Sequence, residues 1–302
     1  MEQAQKKAAL VLSSGGARGL AHIGVIEAML EDDYEISSIS GSSMGALIGA
    51  FYACGKMEEY KEWVCKLDRM DVFKLIDFTF STSGFIRGER VFKTLQEFIP
   101  DCQLEDLSIP FSAVATDLKN KREVVMTSGS MYAAIKASIA IPTVIKPQKY
   151  NELELIDGGV TNPVPVDKVK RQPGDHLVVV NVNATIPYKT PFKNKEIAKK
   201  EEQKYLKKIM EFKVNWSRLL PSNSEVKEPI EKLGYFELLN RSIDLMQDKM
   251  TTLILEHYRP DIQVDISRDA ANTFEFYKAE EMIEMGKKAY KKAKKPVNEL
   301  ES

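Results

Sequence analysis

Two periodicities alternate along the chain. Short runs with alternating apolar and β-branched residues, at positions 8–13, 36–40, 111–116, 123–126, 153–156 and 177–182, predict strands, because side chains two apart share one face of a pleated strand. Between them, apolar positions recur at helical spacing over 20–30, 46–54, 57–67, 90–98 and 131–138. Strand and helix therefore alternate, which predicts an α/β fold with an open sheet covered on both faces. Further on, 235–256 reads as a long amphipathic helix, 260–266 as a short strand, and 278–293 as a final helix followed by a tail.

A chain of 302 residues with 43% hydrophobic and 29% charged residues can build a large core, and its composition is that of a globular protein rather than a disordered one. No Gly/Ser-rich or Pro-rich linker interrupts it before residue 185. The expected organisation is a catalytic core over 1–185 and an extension over 186–302, largely helical with a basic segment, packed on the core as part of one domain.

Charge narrows the partners. The 43 basic and 44 acidic residues nearly cancel, so no global field favours nucleic acid or draws the chain strongly to anionic lipid. Any membrane contact must be local. The one candidate is the stretch 186–213, whose nine lysines outnumber its four glutamates and interleave with Tyr205, Leu206, Ile209, Met210 and Phe212. Such a segment can lie on a lipid surface, or it can be a solvated helix packed on the core. The N-terminal apolar run, only about six residues long, is too short for a signal peptide, and no segment approaches the roughly 20 apolar residues that span a bilayer. The expectation is a cytoplasmic protein, at most peripheral at the membrane.

Candidate chemistry starts with what is missing. Cys54, Cys65 and Cys102 are irregularly spaced, His22, His176 and His257 are scattered, and no H-E-x-x-H or paired-cysteine motif occurs. Free, mostly buried thiols and no metal are expected. Two glycine-rich turns carry more. Gly15-Gly16-Ala17-Arg18-Gly19 lies between a predicted strand and a predicted helix, where backbone N–H groups and the helix dipole can bind an anion or stabilise a developing one. It lacks G-x-G-x-x-G and G-K-[ST], so an oxyanion hole survives and dinucleotide or P-loop phosphate binding does not. Gly41-Ser42-Ser43-Met44-Gly45 likewise joins a strand to a helix, the setting of a nucleophile elbow. Chance alone supplies a G-x-S-x-G in roughly one such chain in ten, so the setting carries the weight, and Ser43 is the candidate nucleophile.

A nucleophilic serine needs a base. The histidines fit poorly: His22 falls inside the first helix, His176 precedes a strand, and His257 follows a long helix. Asp157 ends a predicted strand beside Gly158 and Gly159, so its carboxylate can approach another backbone closely and serve as the base directly. A Ser-His-Asp α/β-hydrolase, with His257 or His176 as base and Asp117 or Asp157 orienting it, stays open, as does a lipid-sensing protein without catalysis.

GGARG, GSSMG and DGG in this order resemble the patatin-like phospholipases, particularly the bacterial branch related to neuropathy target esterase. ASIAIPTVIKP at 137–147, VTNPVPV at 160–166, PDIQVDIS, and YKAEEMIEMGKKAY extend the resemblance over nearly the whole chain. It implies a three-layer α/β/α fold with a central, mostly parallel sheet, a Ser43–Asp157 dyad, an oxyanion hole at Gly15 to Gly19, and an elbow flanked by Gly41 and Gly45. The implied activity is metal- and cofactor-free hydrolysis of acyl esters in phospholipids, lysophospholipids or simpler lipids. Arg18 is expected to hold the loop or to favour an anionic head group. Phe73, Leu75, Ile76, Phe78, Phe80 and Phe85 make 71–88 unusually apolar for a connection, suited to lining an acyl site or to core packing.

Overall fold

In the computed structural model, which describes residues 6–75, 89–142, 144–188 and 235–294, strand β1 (Lys6–Leu12) sits near the middle of the sheet and is buried over its last five residues. It runs parallel to β2 (Tyr34–Ser42) on one side and to β7 (His176–Ala184) on the other. The other strands are β3 (Phe111–Asp117), β4 (Arg122–Met126), β5 (Gln148–Tyr150), β6 (Leu153–Asp157) and β8 (Ile262–Ser267), and the order across the sheet is β5-β6-β3-β2-β1-β7-β8 with β4 paired to β3. Pairing is parallel from β3 to β8 and antiparallel among β3, β4, β5 and β6. The C-terminal part thus adds a strand to the same sheet.

Helices cover both faces. One carries α1 (Ala21–Glu31), α2 (Met44–Ala53), α3 (Met57–Cys65), α5 (Glu89–Gln96), α6 (Met131–Ser138) and α8 (Ala279–Ala293), whose apolar stripes join Leu10, Leu12, Ile36 and Ile39 in the main core. The other holds a smaller cluster of Val11, Leu177 and Val179 with Val164 and Val166, against which Ile254 and Leu255 of the long helix α7 (Tyr235–Tyr258) pack. The result is the expected three-layer α/β/α architecture. Two short elements, α4 (Arg69–Leu75) and β5, went unpredicted; at seven and three residues they carry too little periodicity to read.

Strand β2 is buried further than its sequence suggests. Its serines replace apolar side chains on the face crossed by residues 163–170: Ser40 Oγ donates to Pro165 O at 2.9 Å, Ser38 Oγ to Lys170 O, and Ser112 Oγ of β3 to Lys168 O at 3.0 Å. Each hydroxyl satisfies a carbonyl of an irregular segment that has no ladder partner, so burying both costs little. Helices α1 and α8 meet through glycines. A Cβ on Gly24 would stand 1.8 Å from Ile283 O, and one on Gly286 would stand 2.0 Å from Ala21 O. Ion pairs add to this packing: Glu27 of α1 is held between Lys61 of α3 and Lys287 of α8 at 2.6 and 2.9 Å, and Lys291 of α8 meets Glu31 of α1 at 3.4 Å. The three cysteines are free but half-buried rather than mostly buried, since each lies at the rim of the main core.

Candidate active site

The end of β2 turns sharply into α2 at Ser43, whose backbone adopts φ 52° and ψ −120°. A non-glycine residue there stores roughly 1–3 kcal/mol of strain. The surroundings hold it in place. Ser43 N–H donates to Ser138 Oγ at 2.9 Å, and that hydroxyl donates to Val114 O at 2.6 Å. Its carbonyl accepts from Ala46 and Leu47, the first bonds of α2. Gly45 lies so near β1 that a Cβ would sit 2.1 Å from Leu12 O, and a Cβ on Gly41 would sit 2.5 Å from Ala46 N.

Asp157, the last residue of β6, faces this turn. Ser43 Oγ donates to Asp157 Oδ2 at 2.5 Å, and Gly159 N–H donates to Oδ1 at 2.7 Å. Its backbone is fixed as well, by its own N–H to Ala140 O at 3.0 Å and by Thr116 Oγ1 donating to its carbonyl at 2.9 Å. Both side chains are about 4% exposed. Burial pushes the Asp157 carboxyl up to about 6 from an ordinary 3.8, and the bonds from Ser43 and Gly159 offset only part of that rise. Among the described residues no cation contributes to its environment.

The loop 15–19 forms a 3-10 turn leading into α1. Ala17 N–H donates to Thr273 O at 2.9 Å. Gly16, at φ +55°, meets the same residue, for a Cβ there would stand 2.7 Å from Thr273 O. The N–H groups of Gly15, Gly16 and Met44 have no acceptor among the described residues. Arg18 turns away from Ser43 and clamps the loop: Nη1 donates to Ala271 O at 2.8 Å and Nη2 to Asn183 Oδ1 at 2.7 Å, and Nε lies 3.2 Å from Val182 O. Gly15 and Gly19 keep this packing close, since a Cβ on them would strike Val182 and Met44. Beside Ser43 opens an apolar cavity of about 130 Å³, lined by Gly16 and Met44 together with Leu47, Trp63, Phe92 and Ile139. Val72 and Leu75 reach it from the apolar stretch near 71–88, whereas Ile76, Phe78, Phe80 and Phe85 lie outside the described residues. So does the lysine-rich stretch beyond Tyr188.

No histidine stands beside Ser43. His176 pairs with Ala8 while Gly41, two residues before Ser43, pairs with Leu12, so His176 and Ser43 lie at opposite ends of the strands, about 20 Å apart along them. Its Nδ1 shares a hydrogen bond with Tyr34 Oη at 2.7 Å. His257 lies near that far end of the strands, ten residues along α7 from Gln247, which borders Gly159; that is about 15 Å of helix. His22 is buried, with Nε2 2.9 Å from Ser13 O, and burial pushes it down to about 4 from 6.5. Asp117 binds its own turn, accepting from Asn120 Nδ2 at 2.6 Å, and orients no histidine. Among the described residues no cluster of three or more His, Cys, Asp or Glu could hold a metal ion. Sequence reading missed Ser138 and Thr273: the first sits inside the ASIAIPTVIKP block, and the second has no local signal.

The family model described as Patatin-like phospholipase matches residues 10–170. Over 325 aligned residues the chain is 31% identical to uncharacterized NTE family proteins of Mycobacterium bovis and Mycobacterium tuberculosis, covering 93% of this chain and 89% of theirs. It is 30% identical to neuropathy target esterase sws of Drosophila melanogaster over 58% of this chain and 13% of that protein. VipD from Legionella pneumophila superposes with a TM-score of 0.47 and 16% identity, over 96% of this chain and 66% of that chain. This chain belongs to the patatin-like phospholipase family. It is a lipid ester hydrolase by class.

Two buried titratable groups of this region, Asp157 and His22, tilt stability in opposite directions. The folded state holds the Asp157 proton up to about pH 6 while the unfolded chain releases it near 3.8, so this group's contribution falls as pH rises through that window. His22 protonates near 6.5 when unfolded but only near 4 when folded, so its contribution falls as pH drops. Urea denaturation across pH 4 to 7.5 is expected to show Asp157→Asn gaining on wild type, by up to about 3 kcal/mol, as pH rises. His22→Gln should gain by a similar amount as pH falls. Parallel curves for wild type and both variants would contradict the burial assigned to these groups.

Proposed function

We propose that this enzyme hydrolyses acyl esters of phospholipids, lysophospholipids or simpler lipids through a Ser43–Asp157 dyad and an acyl-enzyme. The observation that carries the reading is the 2.5 Å bond between Ser43 Oγ and Asp157 Oδ2 in a buried elbow that opens on an apolar cavity. Ser43 Oγ attacks the ester carbonyl carbon as its proton passes to Oδ2. The oxyanion forms at the N-terminus of α2, where the N–H groups of Gly16 and Met44 are free to donate. Losing one such donor typically costs about 3–4 kcal/mol of transition-state stabilisation. Ala17, Arg18, Gly15 and Gly19 hold that loop in shape. Asp157 then returns its proton to the departing alkoxide, which leaves as the alcohol. Water next gives a proton to Asp157 and attacks the acyl-Ser43 ester. Collapse frees the carboxylic acid and reprotonates Ser43 Oγ.

A carboxyl held near 6 suits this work. It is ionised at neutral pH, yet more basic than an exposed aspartate. With p-nitrophenyl esters, folded Ser43→Ala and Asp157→Asn proteins are expected to lose about 10³-fold or more in kcat/KM, while His176→Ala and His257→Ala stay within about twofold. A dead histidine variant beside an active Asp157→Asn would overturn the dyad in favour of a Ser-His-Asp triad. A wild type that neither turns over these esters nor reacts with a phosphonate would favour lipid binding without catalysis.

Peripheral contact with a lipid surface is a second part of the reading. Leu238, Leu245, Met246 and Leu253 recur at spacings of seven and eight along α7 and are exposed, Leu245 by 70%. No helix among the described residues is long and apolar enough to cross a membrane. Wild type should float with phosphatidylcholine liposomes and a Leu245→Glu/Met246→Glu variant should not; equal flotation would remove α7 from the contact.

A further inference from the structure

We propose that Gln247 is a substrate-contacting residue that binds the alcohol side of the ester and so sets the preference for an alcohol bearing polar groups beside the reacting oxygen. The proposal rests on the Ser43–Asp157 reading. Three groups converge on one point above the turn that follows Asp157: a methyl placed on Gly159 would lie 2.8 Å from Gln247 Nε2, 3.0 Å from Asp157 Oδ1 and 3.0 Å from Ser14 Cβ. Glycine at 159 therefore lets the amide stand beside the carboxylate. Two polar groups here are uncommitted. The Gln247 amide has no partner among the described residues, and the Ser14 hydroxyl is buried without one in a residue only 3% exposed. Neighbouring polar groups on α7 are in use, since Asp248 is bound to Arg268 and Thr252 Oγ1 donates to Asp248 O.

The mechanism decides what this corner contacts. The departing alkoxide takes its proton from Asp157, so the alcohol oxygen must come close to that carboxylate. The apolar cavity lies on the α2, α3 and α5 side of Ser43 and is lined by no described residue of α7. Helix α7 packs on the opposite face of the sheet through Ile254 and Leu255. With the acyl chain in the cavity, the alcohol points to α7, where Gln247 can donate to and accept from it. A glycerol backbone offers hydroxyl and ester oxygens next to the reacting oxygen, matching a neutral amide that can donate and accept. A p-nitrophenyl group offers none there.

Two esters with one acyl chain test this: 1-octanoylglycerol and p-nitrophenyl octanoate. They would be hydrolysed by the full chain as wild type, Gln247→Leu and the nearly isosteric Gln247→Met, each checked for folding. Both variants are expected to lose about three- to tenfold in kcat/KM on the glyceryl ester, the worth of one neutral hydrogen bond, and less than twofold on the p-nitrophenyl ester. Equal losses on both esters would make Gln247 a structural residue and overturn the proposal, as would no loss on either. A wild type that cleaves p-nitrophenyl octanoate but not 1-octanoylglycerol also overturns it. If neither ester is cleaved and a phosphonate leaves Ser43 unlabelled, the dyad has failed, and the role of Gln247 falls with it.

Discussion

A carboxylate kept out of water beside a serine hydroxyl is the constraint around which this fold is arranged. Asp157 receives one hydrogen bond from Ser43 and one from Gly159, and no cation among the described residues offsets its burial. Such a group is costly to ionise, and it keeps its place because its backbone is pinned on both sides, to Ala140 and to Thr116. The serine is equally constrained. Its left-handed backbone survives because Ser138 ties its N–H to β3, and because Gly45 lets α2 start against the end of β1. Strain at one residue and desolvation at the other meet in a single short hydrogen bond.

The C-terminal part completes this arrangement. Strand β8 extends the sheet beyond β7, and α8 packs so tightly on α1 that glycines are needed on both helices. Thr273 anchors the glycine loop through Ala17, while Ala271 and Asn183 hold Arg18. Helix α7 closes the other face and brings Gln247 to Gly159. The loop that opens the N-terminal region thus takes its shape from residues some 250 positions later.

Much of this was legible because it lies at the ends of strands. Ser43 and Asp157 each follow a β-rich run and stand among glycines, and the order of the motifs led to the family. The buried extent of β2 was harder to read, because Ser38 and Ser40 look polar and are covered by the 163–170 segment, to whose carbonyls they donate. Ser138, Thr273 and Gln247 act across separations of about a hundred residues or more, with no local pattern to mark them. The histidines are scattered in the fold as they are in the sequence. His22 is a buried prop under the loop, and His176 and His257 lie toward the end of the strands opposite Ser43.

The most direct test of the central claim is the pH dependence of covalent labelling of Ser43 by a fluorophosphonate, followed by intact-protein mass, in wild type and in the His22→Gln, His176→Ala and His257→Ala proteins. A buried aspartate acting alone as base predicts a labelling rate that rises with pH through about 6 to a plateau, with the same midpoint in all four proteins. A midpoint that shifts or vanishes on replacing one histidine, or a rate indifferent to pH from 4 to 8, would contradict it.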